Sequence, residues 1–409
     1  MSSSSTEADI IIDPSADTII TLKDQGANVA IWDDAAEFPR PPFVLPDTVR
    51  DYLTADDTTM KEENDAGGDE VEGGNAESEA KGDEVEGGDT ESEAKGENET
   101  RFHVSSRHLA LASTYFRRDL SDSWDQHDRD EKGRVLLSES GWTRLGFARL
   151  MCIIHGRTRA VARTLKLEEL AELAHMVDYY DCAEVVEPYT VAWINHLKYT
   201  EGVPKSYGMR LVLWLCVAWA FCEEDGFNVL TKEAIYQCRS DMQTMGLPLP
   251  EIVTSKSSVT YTKARVLMSS AAIEKRRQEA IGSIITSINL HLNKLIEGKA
   301  GCSFACASIN LGFFTKAMHV RGLRDPPCTH PYLGISVEML IRQLRGMEFP
   351  QWCIGRAPTA YGNSSCKNHN CTQSRFMTDL ATSISGNVKG LRLNDFPSQH
   401  NRDGVDLMI

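Results

Sequence analysis

The chain has 409 residues, enough for two or three domains at about 150 residues each, and its 41% hydrophobic and 25% charged residues are typical of globular proteins. The net charge of −16 is confined to one segment: residues 33–100 carry 23 acidic and 5 basic residues, whereas the remainder carries 36 acidic and 38 basic residues. This balance excludes a globally basic protein that binds polyanions over its whole surface.

The sequence predicts no membrane span and no signal peptide. The longest apolar run, LVLWLCVAWAFC at 211–222, has 12 residues, whereas a span needs about 20, so it predicts a buried helix. The first residues, MSSSSTEADIII, lack the basic and apolar regions of a signal peptide. Eleven cysteines in a chain of this length favour a reducing compartment. We therefore expect an intracellular protein, in the nucleus and/or the cytoplasm, that binds no membrane.

The N-terminal region predicts two short strands and little other structure. Residues 1–16 are short and rich in serine, and we expect them to be disordered. Residues 17–32 predict two strands around Gln25 and Gly26, because β-branched residues lie on both sides of this turn.

Residues 33–100 contain a tandem acidic repeat. GDEVEGGNAESEAK at 68–81 is followed by GDEVEGGDTESEAK at 82–95. A segment of this composition cannot bury enough apolar area to offset the entropy lost when the chain is ordered. The sequence therefore predicts a disordered acidic insertion over 33–100.

Beyond Arg101 the hydrophobic pattern predicts order. FHVSS and GRVLL predict strands. The segment between them and the segment from GRVLL to residue 200 predict helices. After Gly202-Val203-Pro204 the pattern is helical throughout. The expected helices lie near 209–224, 231–242, 281–295, 303–320, 336–347 and 376–388. One apolar stripe spans only about two heptads, which favours packing within a helical domain over a coiled coil. Its members are Ile281, Ile284, Ile285, Ile288, Leu292 and Leu295.

Four blocks, in the same order along the chain, resemble the BTB/POZ family. FHVSSRHLALASTYF at 102–116 is similar to the family pattern F-x-A-H-K-x-x-L-x-x-x-S-x-x-F. Upstream, DTIITL at 17–22 resembles the family's first strand. Downstream, FARLMCIIHG at 147–156 and LAELAHMVDYY at 170–180 resemble two of its helices. The helical remainder resembles that of filamentous-fungal BTB proteins.

The resemblance implies an α+β fold, in which a BTB/POZ domain of short strands and helices precedes an all-α domain. We expect the helices to pack against the BTB core, because Gly202–Ser206 is too short for a free linker. The expected boundaries are a disordered N-terminus at 1–16, a BTB/POZ domain at 17–200 interrupted by the insertion at 33–100, an all-helical domain at 205–395 and a tail at 396–409.

The function implied by the resemblance is protein–protein interaction: self-association through the BTB domain and recruitment of a partner. Cullin-binding members carry a hydrophobic-x-Glu motif after their second helix, and this chain has Trp124-Asp125-Gln126 there. A cullin is therefore one expected partner, with the carboxylate replaced by an amide. The candidate partner-binding residues are Tyr115, Arg117, Arg118, Trp124, Asp125 and Gln126. Ser105 and Ser106 stand where the family has His and Lys or Arg, which argues against the charged groove of its transcription-factor subgroup.

Two alternatives to a ligase adaptor stay open. A nuclear factor associated with transcription or chromatin would use the acidic tract as an arm, and a zinc-stabilised helical scaffold would have no link to a ligase. The sequence contains no G-x-G-x-x-G, G-x-x-x-x-G-K-[ST], H-E-x-x-H or G-x-S-x-G motif. We therefore do not expect an enzyme.

The cysteines divide into two groups. Five lie in apolar segments that are predicted to be helical, and we expect them to be small buried hydrophobic residues. These are Cys152, Cys182, Cys216, Cys222 and Cys238. Among the others, Cys302, Cys306, His369 and Cys371 supply the four soft ligands of a structural zinc site, and the alternative is a set of reduced thiols. No other cofactor is expected.

A basic loop at 155–166 follows the third BTB block. Lysine and arginine clusters attract phosphates, but no aromatic residue here offers a stacking platform for bases. We expect a solvated loop and no nucleic-acid partner. A third hypothesis is that the acidic insertion covers this loop and competes with an acidic partner.

Overall fold

The structure, a computed structural model, belongs to the α+β class. It describes residues 8–24, 98–122, 127–242, 260–324, 329–347, 349, 353–357, 365–368 and 375–396. The strands in this part of the chain are β1 (Ala8–Ile11), β2 (Thr18–Asp24), β3 (Asn98–Val104), β4 (Val135–Ser140), β5 (Cys353–Ala357) and β6 (Ser365–Asn368). The helices are α1 (Ser106–Ala112), α2 (Thr114–Asp122), α3 (Arg144–Ile154), α4 (Leu167–Tyr180), α5 (Ala183–Thr200), α6 (Met209–Ala220), α7 (Glu224–Gln237), α8 (Thr260–Ile296), α9 (Phe304–Val320), α10 (Val337–Arg345) and α11 (Phe376–Asn387).

The first four strands form one sheet in the order β1-β3-β2-β4. Strands β2 and β3 are antiparallel, with Thr18 opposite Val104 and Asp24 opposite Asn98, and β4 runs parallel to β2. Alternate residues of the strands face the core, so Ile20, Leu22 and Phe102 are fully buried. The predicted strand before Gln25 is therefore present as β2, and the predicted partner strand at 27–32 lies outside the described residues.

Strand β1 corrects the prediction of disorder over 1–16. Residues 8–11 pair in parallel with β3, and the amide of Ile12 donates to the carbonyl of His103 at 3.0 Å. The run Ile10-Ile11-Ile12 suits a strand, but three apolar residues after a serine-rich start are too few for a periodicity signal. The free edge of β3 supplies the hydrogen-bond partners that make this short strand stable.

Ser105 and Ser106 join the sheet to α1. The Ser106 amide and hydroxyl donate to the two carboxylate oxygens of Asp17 at 2.7 and 2.6 Å. Partial burial acts to raise the pKa of Asp17, but these hydrogen bonds outweigh it and lower that pKa. The amide of Ser105 lies 2.9 Å from Nε2 of His155. The two serines therefore connect β2, α1 and the end of α3.

The apolar run at 211–222 forms a buried helix, as predicted. Trp214 and Trp219 of α6 are core residues, and α6 packs against α4. The described parts of the predicted BTB and helical domains thus share one hydrophobic core. Among the described helices, none combines the length and the apolarity needed to cross a bilayer.

The stripe from Ile281 to Leu295 also packs in the core, as predicted: five of its six residues are buried and Ile285 is half-buried.

Two predictions about the helical region were wrong. The helix expected at 231–242 is α7, which begins at Glu224 because the Glu223 side chain accepts from the amide of Gly226 and caps it. The C-terminal region is not all-helical, since β5 and β6 pair as an antiparallel two-stranded sheet. These strands are too short for their pattern to stand out.

The segment after α11 lies tightly against α7, which predicts a large effect of a small substitution. The Leu391 amide donates to the Thr231 hydroxyl at 2.8 Å, and a Cβ on Gly390 would lie 1.8 Å from the Asn228 carbonyl oxygen. We expect Gly390→Ala to lower the free energy of unfolding by about 2–3 kcal/mol in urea titrations. The matched control is Gly386→Ala, where a Cβ meets no atom within 4 Å. Equal stability of the two variants would show that the segment is not held this closely.

Candidate partner-binding surface

The structure brings three predicted partner-binding residues together on α2. Tyr115 is half-buried, and Arg117 and Arg118 are exposed. Leu111 at the end of α1 lies beside them with 79% of its area exposed. We refer to Leu111, Tyr115, Arg117 and Arg118 as the α1–α2 surface. The next predicted residues, Trp124, Asp125 and Gln126, follow α2 after Ser123 and lie outside the described residues.

The two arginines of this surface have different surroundings. Arg117 turns back to α1, where Nε donates to the Ala110 carbonyl at 2.8 Å and a terminal nitrogen donates to the Leu111 carbonyl at 3.2 Å. It thereby satisfies carbonyls that the end of α1 leaves unpaired. Arg118 forms no ion pair with any described residue. Arg117 is thus held against α1, whereas the Arg118 side chain is exposed.

An aromatic cluster supports α2 from below, with Tyr180 of α4 at its centre. Phe116 stacks on Tyr180 with ring centroids 4.8 Å apart, and Tyr115 meets the same ring edge-on at 5.4 Å. Tyr115 also contacts Tyr179 at 5.3 Å. The Ser113 hydroxyl, between α1 and α2, donates to the Tyr180 carbonyl at 2.6 Å. These contacts fix the position of α2 on α4.

A hydrogen-bonded chain links this cluster to the sheet. Trp142 Nε1 donates to the Tyr180 hydroxyl at 2.8 Å, and that hydroxyl donates to Glu139 Oε2 at 3.0 Å. Burial raises the pKa of Glu139 to about 7; the hydrogen bond from Tyr180 lowers it, and the charge of Asp119 adds to the rise. The sequence analysis did not identify Glu139. The sequence feature that could have drawn attention to Glu139 is a carboxylate in a strand, three residues before Trp142.

The predicted zinc site is only half within the described residues. Cys302 is exposed, Cys306 is buried at the start of α9, and His369 and Cys371 lie outside. The Cys306 sulfur accepts from Asn310 Nδ2 at 3.3 Å. In the part of the chain that was described, no group of three His, Cys, Asp or Glu residues is placed to hold a metal ion. The zinc site therefore stays a prediction.

The five cysteines expected in the core do not all lie there. Cys182 and Cys238 are buried, and Cys152 and Cys216 are half-buried. Burial raises the pKa of both Cys182 and Cys216 to about 12. Cys222 is exposed, contrary to the prediction. It lies just after the end of α6 with a φ of 52°, where the chain turns and leaves the apolar face of the helix.

The basic loop lies between α3 and α4. Arg157 Nε donates to the Ile12 carbonyl at 2.9 Å, so this arginine helps to hold the chain after β1. Arg159, Arg163 and Lys166 are exposed. Their exposure agrees with a solvated loop and does not by itself indicate a ligand.

Comparison with known proteins adds no further identification: no family model, curated protein or solved structure matches the chain.

Proposed function

We propose that this chain is a protein–protein interaction module of the BTB/POZ type, which self-associates and recruits a protein partner through the α1–α2 surface. The observation that carries the proposal is the firm support of α2 by the Tyr180 cluster, beside an exposed leucine and an exposed arginine. Arginine and aromatic side chains on a rigid support are the residues that contribute most to protein interfaces.

The order of elements supports the BTB/POZ assignment. A hairpin of β2 and β3 precedes two short helices, and β4 then returns parallel to β2. The acidic segment joins the neighbouring strands β2 and β3, whose ends Asp24 and Asn98 are opposite each other. An insertion at this place in the sequence is compatible with the pairing of β2 and β3.

A cullin is the first partner to test, with this chain acting as a substrate adaptor of a ubiquitin ligase. The position of Trp124-Asp125-Gln126 shortly after α2 supports this choice, because an aromatic anchor there would extend the α1–α2 surface. An adaptor must also bind a substrate, and the helical part beyond residue 205 is the region we assign to that role.

The test is affinity purification with mass spectrometry from cells that express the tagged full chain together with a second copy carrying a different tag. We expect recovery of the second copy and of a cullin, and we expect Arg118→Glu to reduce cullin recovery at least tenfold because it reverses a charge on the contact surface. Trp124→Ala should act in the same direction.

Arg159→Glu is the matched control, since it reverses the charge of another exposed arginine, in the loop before α4. Equal losses in the two charge-reversal variants would move the binding site away from α2. Recovery of other partners without a cullin would retain the interaction module and exclude the adaptor role. A chain that recovers neither a second copy nor any partner would overturn the proposed function.

A further inference from the structure

Glu139 lies between the sheet and the helix that carries the proposed binding surface. We propose that its protonation state controls this surface: protonated Glu139 holds α2 against β4 and α4, whereas ionised Glu139 loosens α2 and weakens partner binding as the pH rises through neutrality. This inference rests on the proposed function for its binding consequence. The structural part, the loosening of α2, is independent of any partner.

The contacts give Glu139 a direct path to α2. Its carboxyl group accepts from the Tyr180 hydroxyl, and the Tyr180 ring contacts both Tyr115 and Phe116 of α2. A change in the volume, hydration or position of the carboxyl group therefore displaces the ring on which α2 rests. The Trp142 indole donates to the same hydroxyl, so two hydrogen bonds fix the position of the Tyr180 hydroxyl.

The charges around Glu139 oppose its ionisation. From α2 it faces Tyr115 and Asp119, and from α4 it faces Tyr179 and Tyr180. The tyrosines are neutral near pH 7 because burial raises their pKa further, and Asp119 adds a like charge. Among the described residues, no lysine or arginine forms an ion pair with Glu139.

Two histidine side chains lie near the groups that surround Glu139, and one of them is varied in the test. His127 Nε2 lies 3.8 Å from Asp119 Oδ1. His175 of α4 contacts Trp142 with ring centroids 5.1 Å apart. His127 and His175 thus contact neighbours of the Glu139–Tyr180 pair, whereas Tyr180 itself is hydrogen-bonded to Glu139.

The sign of the pH effect follows from the raised pKa. Folding raises the pKa of Glu139 from 4.5 to about 7, so the closed state binds the proton more tightly than an open state in which the carboxyl group meets water. The closed state therefore loses stability as the pH rises from about 4.5 to about 7. If the opening of α2 exposes the Glu139 carboxyl group to water, the equilibrium constant for this opening rises about tenfold between pH 6 and pH 8.

Hydrogen exchange measures this opening directly. The full chain is labelled in D2O at pH 6 and pH 8, and the protection factors of the amides in α2, corrected for the intrinsic exchange rate at each pH, are obtained by mass spectrometry. We expect about a tenfold loss of protection in α2 at pH 8 in the wild type. Glu139→Gln keeps an acceptor for Tyr180 but cannot ionise, so its protection should be the same at both pH values.

Glu131→Gln is the matched control, because it makes the same chemical change at an exposed glutamate. It should behave as the wild type. His127→Gln separates the histidine contribution, and the pH effect should persist in it. Equal protection of α2 at pH 6 and pH 8 in the wild type, or a pH effect that survives in Glu139→Gln, would overturn the inference.

The binding consequence is tested by washing the recovered complexes at pH 6 and pH 8. Partner retention should fall at pH 8 for the wild type and stay constant for Glu139→Gln. A pH-dependent α2 with constant partner retention would move the binding site elsewhere and leave Glu139 as a local structural switch. A chain that recovers no partner at either pH contradicts the proposed function, while the exchange result still decides the role of Glu139.

Discussion

Arg277→Met should lower the free energy of unfolding by about 3–5 kcal/mol, measured by urea titration of the full chain. The Arg277 side chain is fully buried in α8, where it makes two hydrogen bonds to the Glu274 carboxylate and donates to three backbone carbonyls. Those carbonyls belong to Pro331, Tyr332 and Ile335. The substitution leaves a buried carboxylate without its cation and the loop before α10 without its anchor.

The neighbouring arginine is the control for this prediction. Arg276 is exposed on the same helix, so Arg276→Met should change stability by no more than about 0.5 kcal/mol. Adding Glu274→Gln to Arg277→Met should recover part of the loss, because it removes the unpaired charge. A loss that is the same for Arg276→Met and Arg277→Met would show that the buried pair does not hold this loop.

Phe102→Ala should cost about 3–5 kcal/mol as well, because it empties the centre of the core under the first sheet. Phe102 is fully buried in β3 and meets the Phe147 ring edge-on, with centroids 5.0 Å apart. The measurement is again urea unfolding, followed by circular dichroism. Phe304→Ala removes the same side chain from a site that is 90% exposed, so we expect a change within about 0.5 kcal/mol there. Similar losses at the two positions would contradict the packing described for β3.

The strands and helices with a clear hydrophobic period were predictable from the sequence. Phe102 and Phe116 lie in the core with the spacing that the resemblance implied, and the stripe along α8 faces the core. Boundaries were less predictable. The start of α7 depends on a hydrogen bond from Gly226 to Glu223, which the hydrophobic period does not contain. Strand β1 depends on the free edge of β3, which comes about 90 residues later in the chain.

The candidate surface was predictable in part. The sequence placed Tyr115, Arg117 and Arg118 on one helix, but it did not show that Arg117 is held against α1. It also gave no indication of Glu139, because a carboxylate in an edge strand is ordinarily solvated. The unusual feature of Glu139 is its environment, to which Tyr180 of α4 and Asp119 of α2 contribute.

The resemblance to the BTB/POZ family implied the class of fold. The sequence by itself located the concentration of acidic residues at 33–100 and the residues of the main apolar faces. These two results follow from composition or from a period of a few residues, and such signals are local. Only the tertiary structure decided that Arg277 is fully buried with Glu274 and that Glu139 lies beneath α2. The energy of a charged group depends on the groups around it, and those groups meet only when the chain is folded.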